Sequence, residues 1–183
     1  MPNLALQVRA DFEGVTGLVP EDGVHAEIMF PVTCISCHET HRNPVSLDPA
    51  GDVEMQKGRG TANLVMSCAN CRREMSASFI VPKPGSKKDA KPGEISPYHE
   101  IAPVADARAA WHTLCTVEFR GMNPEDAQVD TLLAGDAKWA CRGDESGTPF
   151  GDVEFDEGEW HDYDDKAGDE VGITEVKLQW KRV

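Results

Sequence analysis

Cys34-Ile35-Ser36-Cys37 and Cys68-Ala69-Asn70-Cys71 decide how this chain is read. Both are C-x-x-C, and the thirty residues 38–67 separate them. Two intervening residues let both sulfurs of a pair face one point. Two such knuckles close a tetrahedral shell of four thiolates around one Zn²⁺. The gap exceeds the roughly fifteen to twenty residues of a minimal zinc ribbon, so folded structure is expected between the knuckles. A thioredoxin-like motif would want one C-x-x-C opening a helix, and no such pattern surrounds either pair. Catalytic zinc keeps one position for water, and four thiolates leave none. The expected ion, one per chain, is therefore structural, with Cys34, Cys37, Cys68 and Cys71 as its ligands.

The residues around the knuckles alternate with the period of strands. Leu4, Leu6, Val8, Ala10 and Phe12 make a half-buried strand, which Glu13–Gly17 breaks. Pro20-Glu21-Asp22-Gly23 is a turn. Val24, Ala26, Ile28, Phe30 and Val32 predict a second strand running straight into the first knuckle. Val53 and Met55 suggest a short strand; Ala62, Leu64 and Met66 lead into the second knuckle, and Met75, Ala77, Phe79 and Val81 leave it. Pro82, Pro84, Gly85, Lys87, Lys88, Lys91, Pro92, Gly93 and Pro97 read as an extended linker, with a short turn or helix over 99–110.

After Trp111 the pattern begins again. Thr116-Val117-Glu118-Phe119-Arg120-Gly121-Met122 aligns with Arg9-Ala10-Asp11-Phe12-Glu13-Gly14-Val15, and Pro124-Glu125-Asp126 with Pro20-Glu21-Asp22. Two amphipathic strands can look alike by chance, but the shared turn in the same order favours an internal repeat. The expected fold is mainly β, with two similar β-sandwich-like halves and zinc in the first only. The sections are a zinc-binding half over 1–81, a linker over 82–110 and an acidic, metal-free half over 111–183. Cys141 stands where the first knuckle's counterpart is expected, and the acidic stretch Trp160–Lys166 where the second's is.

Composition narrows the function. Of 183 residues, 40% are hydrophobic and only 7% aromatic, a modest core that a metal would help. The formal net charge of −14 opposes phosphate backbones and anionic lipid surfaces alike. No apolar run is long enough to span a membrane. Met1-Pro2-Asn3-Leu4 does not begin a signal peptide. A reducing compartment is expected, cytoplasmic and also nuclear, where paired cysteines hold metal.

These features together resemble the eukaryotic CXXC motif-containing zinc-binding proteins, long catalogued as a domain of unknown function. The resemblance rests on Leu4-Ala5-Leu6-Gln7, the two C-x-x-C pairs and Gly58-Arg59-Gly60. It continues through Phe119-Arg120-Gly121, Glu145-Ser146-Gly147-Thr148 with Phe150, Trp160-x-Asp162-Tyr163-Asp164-x-Lys166-Ala167, and Val171-Gly172-Ile173 with Glu175-Val176. It implies a β-rich fold of two similar halves, one zinc on the four paired cysteines and no established reaction. The linker at 82–97 looks longer than the family's.

Other candidates carry two readings each. His38 and His41 are loop residues or outer donors. Arg72 and Arg73 donate to the thiolates or are simply solvated. Cys115 shares the apolar parity of Val117 and Phe119 and belongs to the core. Cys141 is a buried thiol, or a reactive one beside Arg142. In the second case the chain would be a thiol-dependent reductase like the zinc-braced methionine sulfoxide reductases of the B type, although the surrounding residues do not match that family's active site. A chaperone of nucleotide-free small GTPases is a third class that no residue selects. Residues 144–170 hold twelve Asp and Glu against one Lys, Lys166, with Phe150, Trp160 and Tyr163 interleaved. They form a solvated face or a docking surface for a basic protein partner. Their spacing does not follow a calcium loop. The leading expectation is a monomeric, non-catalytic zinc protein that binds a protein partner, one that itself handles metals or thiols.

Overall fold

The computed structural model describes residues 2–81, 93–103 and 110–183. The elements are β1 (Asn3–Glu13), β2 (Val15–Pro20), β3 (Ile28–Phe30), β4 (Val32–Cys34), β5 (Val45–Leu47), β6 (Val53–Glu54), β7 (Thr61–Ala62), β8 (Leu64–Ser67) and β9 (Glu74–Phe79). Then come β10 (His112–Arg120), β11 (Met122–Pro124), α1 (Val129–Leu132), β12 (Trp139–Gly143), β13 (Pro149–Val153), β14 (Trp160–Asp164) and β15 (Asp169–Arg182). The protein is mainly β, as the alternation implies. Among the described residues the one α-helix has four residues.

Glycine creates the corner after β1. Gly14 has φ +69°, and a Cβ there would lie 2.8 Å from Val171 Cγ1. The chain then continues as β2, so the break expected over Glu13–Gly17 is confined to Gly14. Gly121, at φ +77°, makes the same corner between β10 and β11. The strand expected over Val24–Val32 starts later. His25 and Ala26 donate their amides to the Asp22 carbonyl in a turn, at 3.1 and 2.7 Å. The rest is split into β3 and β4 at Pro31, which has no N–H for a ladder.

The main sheet has six strands in the order β14-β15-β1-β10-β9-β8. Every pair is antiparallel. In its middle β1 pairs with β10, Leu6 opposite Cys115, and on its other side with β15, Leu4 opposite Arg182. Smaller sheets are β13-β12-β2, β11-β4, β3-β5 and β6-β7. The two halves expected from the sequence therefore share the main sheet, and each sends a strand to the other: β2 to β12, and β11 to β4. Residues 82–92 and 104–109 lie outside the described residues, and with them most of the expected linker and turn or helix. Ile101, between them, is paired with Leu18, each amide donating to the other's carbonyl at 2.8–2.9 Å.

Burial follows the alternation. Phe30, Phe119 and Trp180 meet edge to face with ring centroids 5.2 to 5.8 Å apart, joining β3, β10 and β15 in one core. Cys115 is fully buried in it. Among the described residues no helix is long and apolar enough to cross a membrane.

Candidate metal centre

Each cysteine pair occupies a tight turn at the end of a strand. After β4 the chain reverses through Cys34–Glu39: the Cys34 amide donates to the Glu39 carbonyl, and the His38 amide to the Cys34 carbonyl, at 2.9 and 3.0 Å. Between β8 and β9 the second turn repeats this. Cys68 N–H reaches Arg73 O at 2.9 Å and Arg72 N–H reaches Cys68 O at 3.0 Å. His38 and Arg72 both adopt left-handed backbone, φ +60° and +61°. The first turn is anchored from the other half of the chain, because the Ile35 amide donates to the Gly121 carbonyl at 3.2 Å.

The turns bring Cys34, Cys37, Cys68 and Cys71 together, their sulfurs all within 4.8 Å of one another. Two cross-turn separations are 3.7 Å, Cys34 to Cys71, and 3.6 Å, Cys37 to Cys68. A disulfide needs about 2.05 Å. A tetrahedron of ~2.3 Å metal–sulfur bonds has edges of about 3.8 Å. The donor set, four soft thiols with two cross-turn separations close to that edge, fits zinc.

Backbone amides are aimed at these sulfurs. The amides of Cys37 and Ser36 hold the Cys34 thiol down from 9.0 to about 6. The Glu39 amide does the same for Cys37, and the Asn70 side chain adds to it. The Arg73 amide pulls Cys71 down, but desolvation and the three other sulfurs outweigh it and push that thiol up to about 11. Uneven thiols of this kind share protons until a cation takes their place. Cys34 and Cys68 are buried, Cys37 is half-buried and Cys71 is exposed, so the cluster opens to solvent on one side.

Asn70 belongs to the chain reversal of the second knuckle, and that place in the C-x-x-C is the signal the sequence holds for its role at Cys37. Arg73 serves through its amide, while its guanidinium donates to Ser36 Oγ at 2.9 Å and ties one knuckle to the other. His38 and His41 are not among the residues whose donor atoms converge. His38 is exposed, and His41 keeps a buried Nε2 with no partner among the described residues.

Cys141 is in β12, well inside the protein and 6% exposed. Burial, helped by the charge of Asp162, pushes its thiol up to about 12. Arg142 turns away to Glu100, at 3.0 Å. Neither observation supports a reactive thiol, so nothing here favours the reductase reading. In the acidic stretch, Phe150 is buried and Trp160 packs on it with centroids 5.5 Å apart. Tyr163 is the exposed aromatic of the three, at 51%. Asp164, by contrast, is buried.

The comparisons with known proteins agree with this site. A family model described as "CXXC motif containing zinc binding protein, eukaryotic" matches residues 5–181. The CXXC motif containing zinc binding protein of Homo sapiens is 32% identical over 180 residues, covering 98% of each chain. The UPF0587 protein C2D10.03c of Schizosaccharomyces pombe is 30% identical over 180 residues, covering 98% of this chain and 97% of its own. A solved structure described as "Crystal Structure of C1orf123" superposes with a TM-score of 0.77 at 29% identity, covering 99% of both chains. A hypothetical protein from Plasmodium falciparum shares the fold, with a TM-score of 0.71 at 18% identity over 99% of this chain and 100% of its own. The sulfur cluster, the fold and the match over nearly the whole length place this chain in the eukaryotic family of CXXC motif containing zinc binding proteins.

Proposed function

We propose that this chain holds a single structural Zn²⁺ on Cys34, Cys37, Cys68 and Cys71 and acts by binding a protein partner rather than by catalysis. The convergence of four sulfurs into a set with no vacant ligand position carries this reading. The ion would lock the first knuckle, tied to Gly121, onto the β8–β9 hairpin, so metal binding is part of folding free energy. The exposure of Cys71 supports a partner that handles metals or thiols, since an incoming thiol meets that sulfur first. The acidic face offers a second contact through the exposed Asp162, Tyr163, Asp165 and Asp169. Descent of the two halves from one repeat belongs to the same proposal, supported by the matching corners at Gly14 and Gly121.

Native mass spectrometry tests the metal. One zinc per chain is expected in the parent protein and none in Cys34→Ser or Cys68→Ser, with cooperative unfolding lost alongside. A stable fold without metal would overturn the structural role. For the surface, Asp162, Asp165 and Asp169 changed together to Lys should weaken capture of a basic partner and flatten its salt dependence. Unchanged capture would remove that face from the proposal.

A further inference from the structure

The turns Gly143–Thr148 and Asp164–Asp169 repeat the backbone of the two cysteine knuckles. Gly143 N–H donates to Thr148 O and Gly147 N–H to Gly143 O, at 2.8 and 3.1 Å. Gly168 N–H donates to Asp164 O at 2.7 Å, and Asp164 is paired with Asp169 where β14 meets β15. The first two are the bonds made by Cys34 with Glu39 and His38; the Gly168 bond is the one Arg72 makes to Cys68, and the pairing of Asp164 with Asp169 matches the Cys68–Arg73 closure. The fifth residue is left-handed in all four turns: His38, Arg72, Gly147 and Gly168, at φ +60°, +61°, +69° and +68°. The anchors correspond as well. Ile35 N–H donates to Gly121 O, and Asp144 N–H to Gly14 O at 3.1 Å. The second turn of each pair closes an edge hairpin of the main sheet, β8–β9 on one side and β14–β15 on the other.

Position by position, Cys34, Cys37, Cys68 and Cys71 fall on Gly143, Ser146, Asp164 and Ala167. Asp164 therefore stands where a sulfur ligand stands in the other pair. Its carboxylate is buried, 1% exposed, yet fully engaged. Oδ1 accepts from Thr148 Oγ1 at 2.8 Å, from the Lys166 amide at 3.0 Å and from the Ala167 amide at 3.2 Å; Oδ2 accepts from Ser146 Oγ. The two amides lie two and three residues on, as Ser36 and Cys37 do from the Cys34 sulfur. The two hydroxyls come from the facing turn. At Gly143 a Cβ would lie 2.6 Å from Asp164 Oδ2 and closer still to Ser146 Oγ, so the clamp fills the space that the Cys34 side chain takes in its own knuckle.

We infer that these turns are a second metal-type knuckle pair in which the Asp164 carboxylate, bound to Ser146 and Thr148, is the cross-link that four thiolates and an ion supply in the first. It rests on the geometry of the turns and needs no common descent of the halves. The frame is one that accepts a tetrahedral thiolate metal once its four ligand positions carry sulfur. A chain with Gly143→Cys, Ser146→Cys, Asp164→Cys and Ala167→Cys tests this, because the groups that crowd Gly143 leave together. Native mass spectrometry should find one zinc ion more than in the parent chain, and Co²⁺ should show the matching extra thiolate-to-metal absorption. Counting relative to the parent keeps this outcome separate from the zinc content of the first pair. A folded variant with no additional ion overturns the inference. Should the variant not fold, Asp164→Asn and Asp164→Ala decide it by hydrogen exchange. Amides of Lys166, Ala167 and Gly168 should exchange at least tenfold faster in both variants, more so in Asp164→Ala, while the zinc count matches the parent's. Unchanged protection there overturns the inference equally.

Discussion

Single residues set the chemistry here. Each thiol of the cluster has an amide or a neighbouring sulfur directed at it, whereas burial raises Cys115, and burial with the charge of Asp162 raises Cys141. Alkylation should separate the classes. In the zinc-loaded protein the exposed Cys71 is the first of the four ligands to react with iodoacetamide, and Cys115 and Cys141 react only on unfolding, as peptide mass mapping will show. Early labelling of Cys141 would restore a reactive thiol. Asp164 gives a pH signature. Its folded pKa is depressed below 3.8, first by the Ser146 hydroxyl, with Thr148 and the Ala167 and Lys166 amides adding to it. Its stabilisation is therefore fully present above the unfolded value and is lost as pH falls through the folded one. The stability gap between the parent and Asp164→Asn should be widest above about pH 4 and close below it in urea titrations. Acid loss of metal from thiolates affects both proteins and cancels in the difference.

At the scale of elements, corners matter more than strands. Replacing Gly121 by Ala puts a side chain at φ +77° with its Cβ 3.0 Å from the Glu74 carbonyl, and about 1–2 kcal/mol of stability should be lost in urea unfolding. Because Gly121 also anchors the Ile35 amide, that variant should bind zinc more weakly in a chelator competition. Alternation made β1, β9 and β10 legible, since each is half-buried along much of its length. β2 was hidden by Gly14 and Gly17, which look like a loop and act as a corner and a close approach to Arg142. The sequence offers Cys141 as the counterpart of the first knuckle, and the matching turn begins two residues on, at Gly143. Cysteine, glycine, serine, aspartate and alanine share no chemistry by which equivalent turns could be matched, and the match exists only in backbone hydrogen bonds. The four sulfurs themselves were readable because C-x-x-C spacing is a local constraint. Strand partners were not, because pairing is decided over long separations.

For the whole molecule, the interleaving of strands governs stability. Removing β15 leaves β1 without one neighbour and β14 without its only one in the sheet. A chain cut before Asp169 should therefore lose cooperative unfolding even with zinc present, as monitored by circular dichroism. Retention of a sharp transition would mean that β1 and β10 suffice. The net charge of −14 opposes a phosphate backbone, and duplex DNA should not bind the protein at 0.15 M salt in a gel-shift assay.

The pairing of Leu4 with Arg182 also bears on how the protein is made. Ribosomes add about 5 to 20 residues per second, so roughly 10 to 40 s separate the synthesis of β1 from that of its outer neighbour. All four thiols of the metal cluster have left the synthesis site long before then. The cluster's ligands are therefore complete before β15 is made, and β1 gains that neighbour last.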